Sequence, residues 1–407
     1  MTNSSKRLLR NLNWVVSANA VAGIANFLAI AWFARALGPT TMGDYAIVVT
    51  VIQLVTAFLS AGFDQAIIRM PHDLDITAAA GAATIAQSLL VVLGSAVVYL
   101  YFFIQTPAEA AVISGPAALV LAAMVVSLFS YLLAAPIAAE MDYRFLTVSR
   151  LASTGLGIGA GVVLATLDYG LYALAWRDAC TGLVMLLLLR SRAVGPLPWR
   201  ASSKGIRKLF HFAKGLWALN LTERLVLRLD YGVVAFLLGK EVLGTYFVVR
   251  GIVEGMLGFL VNPVQTVLFA HYCHTEHAAM ARKATHRRVV FLYIAACVGA
   301  AAFAWVFGPK LLDWLVGSAY AEAGAMLPAL VVYAGAILWF ENEKVFAMSR
   351  LRHHRVVYAR LFQIAILLIL VFPAIYFYGI VGASIATATG GVALALTSTM
   401  LARTEGG

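Results

Sequence analysis

One stretch of this 407-residue chain combines the length and apolarity of a membrane span with a row of polar side chains: Asn220, Glu223, Arg224, Arg228 and Asp230. An ionised side chain at mid-bilayer costs about 2.5–3.5 kcal/mol even on lenient insertion scales. These groups are therefore expected to face a wet or protein-lined interior instead of lipid. Asn220, Arg224 and Arg228 recur every four residues, so on a helix they share one face, with successive members about 6 Å apart along the axis. Two guanidinium groups one turn apart can converge on a single diphosphate, because each offers a planar fork of donors matched to phosphate oxygens. The following stretch adds Arg250 and Glu254, again one turn apart. Asn220, Arg224, Arg228 and Arg250 are the candidate anion contacts, and Glu223, Glu254 and Asp230 the candidate carriers of a coupling proton or ion. The six charges sum to zero, so pairing that merely fixes one span against the next is the competing reading.

The elements that must position these residues follow from composition. At 62% hydrophobic and 12% charged, the chain has more apolar surface than one soluble core can hide. About twelve runs are long enough to cross a hydrocarbon layer of roughly 30 Å. Strict apolar/polar alternation is absent, which excludes a barrel, so the expected fold is an all-α polytopic membrane protein. The first run, 14–37, follows Lys6, Arg7 and Arg10 but is too long for the core of a secretory signal.

An internal repeat organises the runs. Leu37-Gly38, Gly43 and Tyr45 reappear 201 positions later as Leu238-Gly239, Gly244 and Tyr246, and Asn19 falls on Asn220. Each copy joins two apolar runs. Tyr169-Gly170-Leu171 and Tyr378-Gly379-Ile380 form a second pair near the end of each half. The expected organisation is an N-terminal six-helix lobe over 1–190, a cytoplasmic basic linker over 191–214 and a C-terminal six-helix lobe over 215–407, the copies running parallel. Within the linker, Ile206, Leu209, Phe210 and Phe212 alternate with Lys204, Arg207 and Lys208, which predicts a short interfacial helix or a solvated connector. At the repeat offset, Arg224, Arg228 and Glu254 stand where the first copy has Gly23, Phe27 and Gln53, so the second lobe is expected to supply most anion contacts.

With both termini placed in the cytoplasm, Arg35, Lys240 and Lys310 lie outside and Arg177, Arg224, Arg228 and Arg250 within spans. The other 23 of the 30 Lys and Arg residues then lie on the cytoplasmic side, as the positive-inside rule requires. The net charge of +11 thus reads as a topogenic signal and a contact with anionic lipids. A nucleic-acid partner is excluded, since no basic face is interleaved with exposed aromatics.

The L-G-x4-G-x-Y pattern, the final-hairpin sequence Tyr378-Gly379-Ile380-Val381-Gly382-Ala383 and the basic loop after the tenth span make the chain resemble the polysaccharide-transport family. That family belongs to the multidrug, oligosaccharidyl-lipid and polysaccharide exporter superfamily. The resemblance covers about 11–401. It implies two lobes of six helices around a central cavity in the bacterial inner membrane, and the flipping of a polyprenyl-diphosphate-linked oligosaccharide from the cytoplasmic to the periplasmic leaflet. The partners it implies are that substrate, membrane lipids and a polysaccharide polymerase or export machinery. No cofactor is called for. Alternating access, with the lobes rocking about the linker, is the expected mechanism. It would be driven by an ion gradient or membrane potential, because no GxxxxGK phosphate loop occurs.

A drug or small-molecule exporter of the same superfamily is the alternative, although its cavity would need more carboxylate than arginine. A glycan polymerase or ligase would need a sizeable outer loop, and the longest here is about 308–325. His271, Cys273, His274 and His277 have loosely metal-like spacing but no second ligand cluster, and basic neighbours repel a cation. Gly155, Gly157, Gly159 and Gly161 lie in an apolar span and predict close helix packing. Asp73 and Asp75 lack a surrounding domain for catalysis. Glu341, Glu343 and Lys344 are expected to snorkel at the inner end of span ten or to line a cytoplasmic mouth.

Overall fold

The computed structural model describes residues 3–59, 62–70, 72–192, 202–274, 279–348 and 353–403. Among them every regular element is helical: α1 (Asn3–Leu59), α2 (Phe63–Arg69), α3 (Leu74–Gln105), α4 (Pro107–Ala139), α5 (Tyr143–Thr166), α6 (Leu171–Arg192), α7 (Ser203–Leu238), α8 (Lys240–His274), α9 (Ala279–Val316), a 3-10 segment (Ser318–Met326), α10 (Leu327–Met348) and α11 (His353–Arg403). Helices meet the demand of hydrocarbon, where backbone polar groups must be satisfied within the segment.

Eight of the described stretches are long and apolar enough to cross a membrane. Two of them bend, Ala20–Leu59 at Gly38 and Arg355–Leu401 at Gly379. Both glycines have positive φ, 75° and 56°, a region that side chains rarely enter. Both bends fall where the sequence predicts hairpins. Exposed Tyr376, Phe377 and Tyr378 crowd the second bend, and exposed Tyr169, Tyr172 and Trp176 the turn before α6, as expected of aromatic rings at a membrane interface.

The protein divides into two compact units, one of 1–22 with 47–224 and one of 23–46 with 225–407. These do not follow the linear halves, because 23–46 packs within the second unit. The repeated motif explains why. A Cβ on Gly43 would overlap the Lys240 carbonyl, and one on Gly244 would overlap the Pro39 carbonyl and crowd the Gly43 backbone. Glycine at both positions thus allows the two copies of the motif to meet backbone to backbone. Beside this contact Lys240 Nζ lies 3.5 Å from Asp44 Oδ1, and the rings of Tyr45 and Phe247 meet edge-on at 5.8 Å. Arg35 Nη2 donates to the Asp313 and Trp314 carbonyls at 3.4 and 3.1 Å, where the end of α9 favours a cation.

In the first unit the structure corrects one expectation. The amphipathic stretch 204–212 is no separate interfacial helix but the first turns of α7, a single 36-residue helix about 54 Å long. It continues because its apolar side has its own core: Leu209 and Ala213 are buried with Phe63, Ile67, Ile76, Ala80 and Leu132. Of the linker itself, 193–201 lie outside the described residues.

Asp73 and Asp75 have structural partners here. Asp73 Oδ1 accepts from the Ile76 N–H at 3.1 Å, capping α3, and Oδ2 accepts from Lys208 Nζ at 2.9 Å. Ser202 Oγ donates to Asp75 Oδ1 at 3.2 Å and accepts from the Gly205 N–H at 3.0 Å. The starts of α3 and α7 are thereby stitched together. In the glycine stripe of α5, a Cβ at Gly157 would overlap Thr181 Oγ1, so this position lets α5 approach α6 closely.

Two outcomes follow. Gly244→Ala should destabilise the protein by about 1–3 kcal/mol through overpacking, whereas Gly155→Ala, with open space around the added methyl, should not. Thermal unfolding in detergent compares them. The Lys208 hydrogen bond holds the Asp73 carboxyl below its usual range, and Asp73 in turn raises Lys208. A depressed carboxyl stabilises above its unfolded value of about 3.9 and loses that contribution as pH falls through the folded value. The advantage of the natural protein over Asp73→Asn should therefore be present at pH 7 and shrink at pH 3; an equal gap at both would refute the pairing.

Candidate functional site

Within the first unit, α2, α3, α4 and α7 enclose a polar cavity of about 240 Å³ that includes Asn220 and Arg224. The helical repeat puts these two on one face of α7, and both are half-buried. Opposite them, Gly62 takes a left-handed conformation at the start of α2 (φ 68°), which brings Asp64 and Gln65 into the wall. Thr84 and Gln87 come from α3 and Tyr131 from α4. The charge of Arg224 acts on the Asp64 carboxylate. This cavity joins a cation to acceptors and donors suited to phosphate and hydroxyl groups.

Within the second unit the predicted charges condense into a buried network. Arg250 and Asp230 form an ion pair with no exposed surface on either side chain. Arg250 Nε also donates to Glu254 Oε1 at 2.8 Å, and the Glu254 side chain remains 30% exposed. Tyr246, one turn before Arg250 on α8, donates its hydroxyl to Asp230 Oδ2 at 2.6 Å and accepts from Arg250 Nη1 at 3.3 Å. Thr387 Oγ1 on α11 lies 3.0 Å from the same carboxylate oxygen. The guanidinium sits 4.9, 5.8 and 5.5 Å from the ring centres of Tyr231, Tyr246 and Tyr333, a cage that favours a desolvated cation. Arg228 also lies over Tyr231, 5.0 Å from its ring centre. Glu223 is half-buried on α7.

The structure thus brings Asp230, Arg250 and Glu254 together and, in the other unit, Asn220 and Arg224. Sequence reasoning missed Tyr246, Tyr231, Tyr333 and Thr387 in the first group and Asp64, Thr84, Gln87 and Tyr131 in the second. Two signals were available. Tyr246, Arg250 and Glu254 recur every four residues, and Thr84, Gln87 and Ser88 form a polar turn inside an apolar run.

The other constellations resolve differently. Glu341 and Glu343 do not snorkel: they are 9% and 3% exposed. Arg360 reaches Glu341 at 3.8 Å, and Trp339 and Thr399 donate to Glu343 at 3.3 and 3.0 Å. This network ties α10 to α11. Arg177 and Asp178 pair at 2.8 Å. The side chains of His271, Cys273, His274 and His277 lie outside the described residues, and no group of three metal-ligand types occurs among those described.

Removing one member of a buried pair leaves the other charge uncompensated, at a cost of roughly 3–5 kcal/mol. Arg250→Met should therefore sharply lower the unfolding temperature in detergent, and Asp230→Asn combined with Arg250→Met should recover much of the loss. A double variant no more stable than Arg250→Met would show that the pair is not the origin of the effect.

The geometry has known counterparts. Residues 32–325 match the family described as polysaccharide biosynthesis protein. The succinoglycan biosynthesis transport protein ExoT of Rhizobium meliloti (strain 1021) is 23% identical over 349 residues, 83% of this chain and 68% of that protein. The lipid II flippase MurJ, in an inward closed conformation, superposes with a TM-score of 0.77 at 11% identity, over 96% of this chain and 87% of that one. An inward-facing multidrug resistance MATE transporter of the MOP superfamily gives 0.65 at 14% identity, over 94% of each chain. At these identities the two solved structures speak for the fold alone, an all-helical one. The chain is a multi-pass membrane protein of this fold and belongs to the polysaccharide biosynthesis protein family.

Proposed function

We propose that this protein flips a polyprenyl-diphosphate-linked oligosaccharide from the cytoplasmic to the periplasmic leaflet of a bacterial inner membrane by alternating access, with both termini in the cytoplasm. The observation that carries the reading is Arg224, held with Asn220 in a polar cavity otherwise surrounded by apolar helices. A half-buried cation with amide neighbours suits a diphosphate, and the similarity to a succinoglycan transport protein supports a glycan cargo. Membrane lipids are its solvent, and a polysaccharide polymerase or export machinery would receive the product.

In this reading Arg224, Arg228 and Asn220 supply the anion contacts. Arg250, within its own network, would be available to an anion only when Glu254 lets it go. Glu254 is the partly exposed member of its network, so protonation there would weaken its hold on the guanidinium. Asp230 would keep the other side of the pair, and Glu223 is the remaining carboxylate on the same helix. A cationic drug exporter would present carboxylates as its leading contacts; here Asp230 is already committed to Arg250.

Arg224→Ala and Arg228→Ala should each abolish lipid-linked glycan translocation in a complemented deletion strain while leaving expression intact. Glycan should then accumulate on the inner leaflet. Normal translocation by both variants would remove the assignment. Glu254→Gln should slow translocation and flatten its dependence on a proton gradient in vesicles, and an unchanged dependence would place coupling elsewhere.

A further inference from the structure

Next to the polar cavity of the first unit lies a second cavity of different character. It measures about 570 Å³, within the range of small-molecule pockets, and its wall is almost wholly apolar, from Phe58 and Leu59 on α1 through Ala82, Ala86 and Leu90 on α3 to Trp217 on α7. Its rim carries Lys214, and Phe58, Leu90, Phe210 and Trp217 around it are all exposed. A contiguous exposed apolar patch of this kind marks a site of contact with lipid or with an apolar ligand. The slot is held in shape, because Trp217 Nε1 donates to the Phe58 carbonyl at 2.8 Å and the Phe63, Ala79 and Leu209 walls belong to a packed core.

The two cavities share two residues, Phe63 and Gln87. Gln87 is 6% exposed, and its side-chain nitrogen has no hydrogen-bond partner among the described residues. A buried amide donor left without an acceptor is costly. It stands where the apolar slot meets the polar cavity, so the group that satisfies it must carry acceptor atoms at the junction between something oily and something hydrophilic.

We infer that the two cavities form one loading site for a single amphiphile: an isoprenoid chain in the apolar slot, its diphosphate at Gln87, and the first sugar in the polar cavity. This deepens the proposed function and rests on a lipid-linked substrate. The Gln87 amide donates to a phosphate oxygen. Arg224 and Asn220, which line the polar cavity with it, take the second phosphate, and exposed Lys214 belongs to the apolar slot. Asp64 would be a poor neighbour for a bare anion, yet its carboxylate suits sugar hydroxyls as an acceptor. A bilayer phospholipid is the less complete occupant, since a headgroup stopping at Lys214 leaves Gln87 unsatisfied.

The test uses the full chain in nanodiscs, with undecaprenyl diphosphate and phosphatidylglycerol as probes and affinity as the readout. The natural protein should bind undecaprenyl diphosphate in preference. Ala86→Phe, which fills the slot, and Gln87→Leu, which removes the donor, should each weaken that binding roughly tenfold or more. Ala96→Phe adds the same bulk to a separate apolar cavity of this unit and should not. Should Ala86→Phe misfold, Leu90→Trp on the exposed rim takes its place. Natural affinity in both slot variants would overturn the loading site while leaving the flippase reading to the Arg224 experiment. A slot that prefers phosphatidylglycerol and loses it on Ala86→Phe would overturn it in favour of a bilayer lipid. Absence of any undecaprenyl diphosphate binding by the natural protein would remove the flippase reading and the loading site together.

Discussion

A charge withdrawn from water into a helical bundle must find its counter-charge or a ligand within a few ångströms, and the polar residues of this protein are disposed by that demand. Arg250 meets it internally. Two carboxylates, a tyrosine hydroxyl and three aromatic faces surround its guanidinium, and Nη2 is the guanidinium nitrogen without a hydrogen-bond partner among the described residues. The same demand assembles Glu341, Glu343 and Arg360 into the seam between α10 and α11.

Arg224 meets it differently. It lines a cavity together with a carboxylate, amides and hydroxyls. The contrast separates two kinds of intramembrane arginine. One kind is committed to partners within the protein; the other lines a cavity, where the proposed function places it against substrate. Gln87 belongs with the second kind, a neutral donor whose only deficiency is the absence of something to bind.

Much of this was legible in the sequence, for identifiable reasons. The apolar runs and their glycine breaks set the helices, because hydrocarbon admits few alternatives, and the bends at Gly38 and Gly379 fall where hairpins were expected. The face shared by Asn220 and Arg224 followed from helical spacing alone. Long-range partners were not legible: Thr387 reaches Asp230 across 157 residues of chain, and no local pattern announces such a contact. The continuity of α7 was missed because an amphipathic start reads the same whether its apolar side meets lipid or, as Leu209 does, a protein core. The polar turn of Thr84, Gln87 and Ser88 stood in the sequence, but that Gln87 lines both cavities depends on its partners from other helices.

The backbone contact at Gly43 and Gly244 has a consequence for how such a chain can change. Residue 43 meets 240 and 244, while 244 meets 39 and 43, so the patch is complementary to its own duplicate. That is the defining property of an isologous interface. The duplicated segments therefore meet as two copies of one surface would, and a substitution that fits one copy must be accommodated by its counterpart in the other.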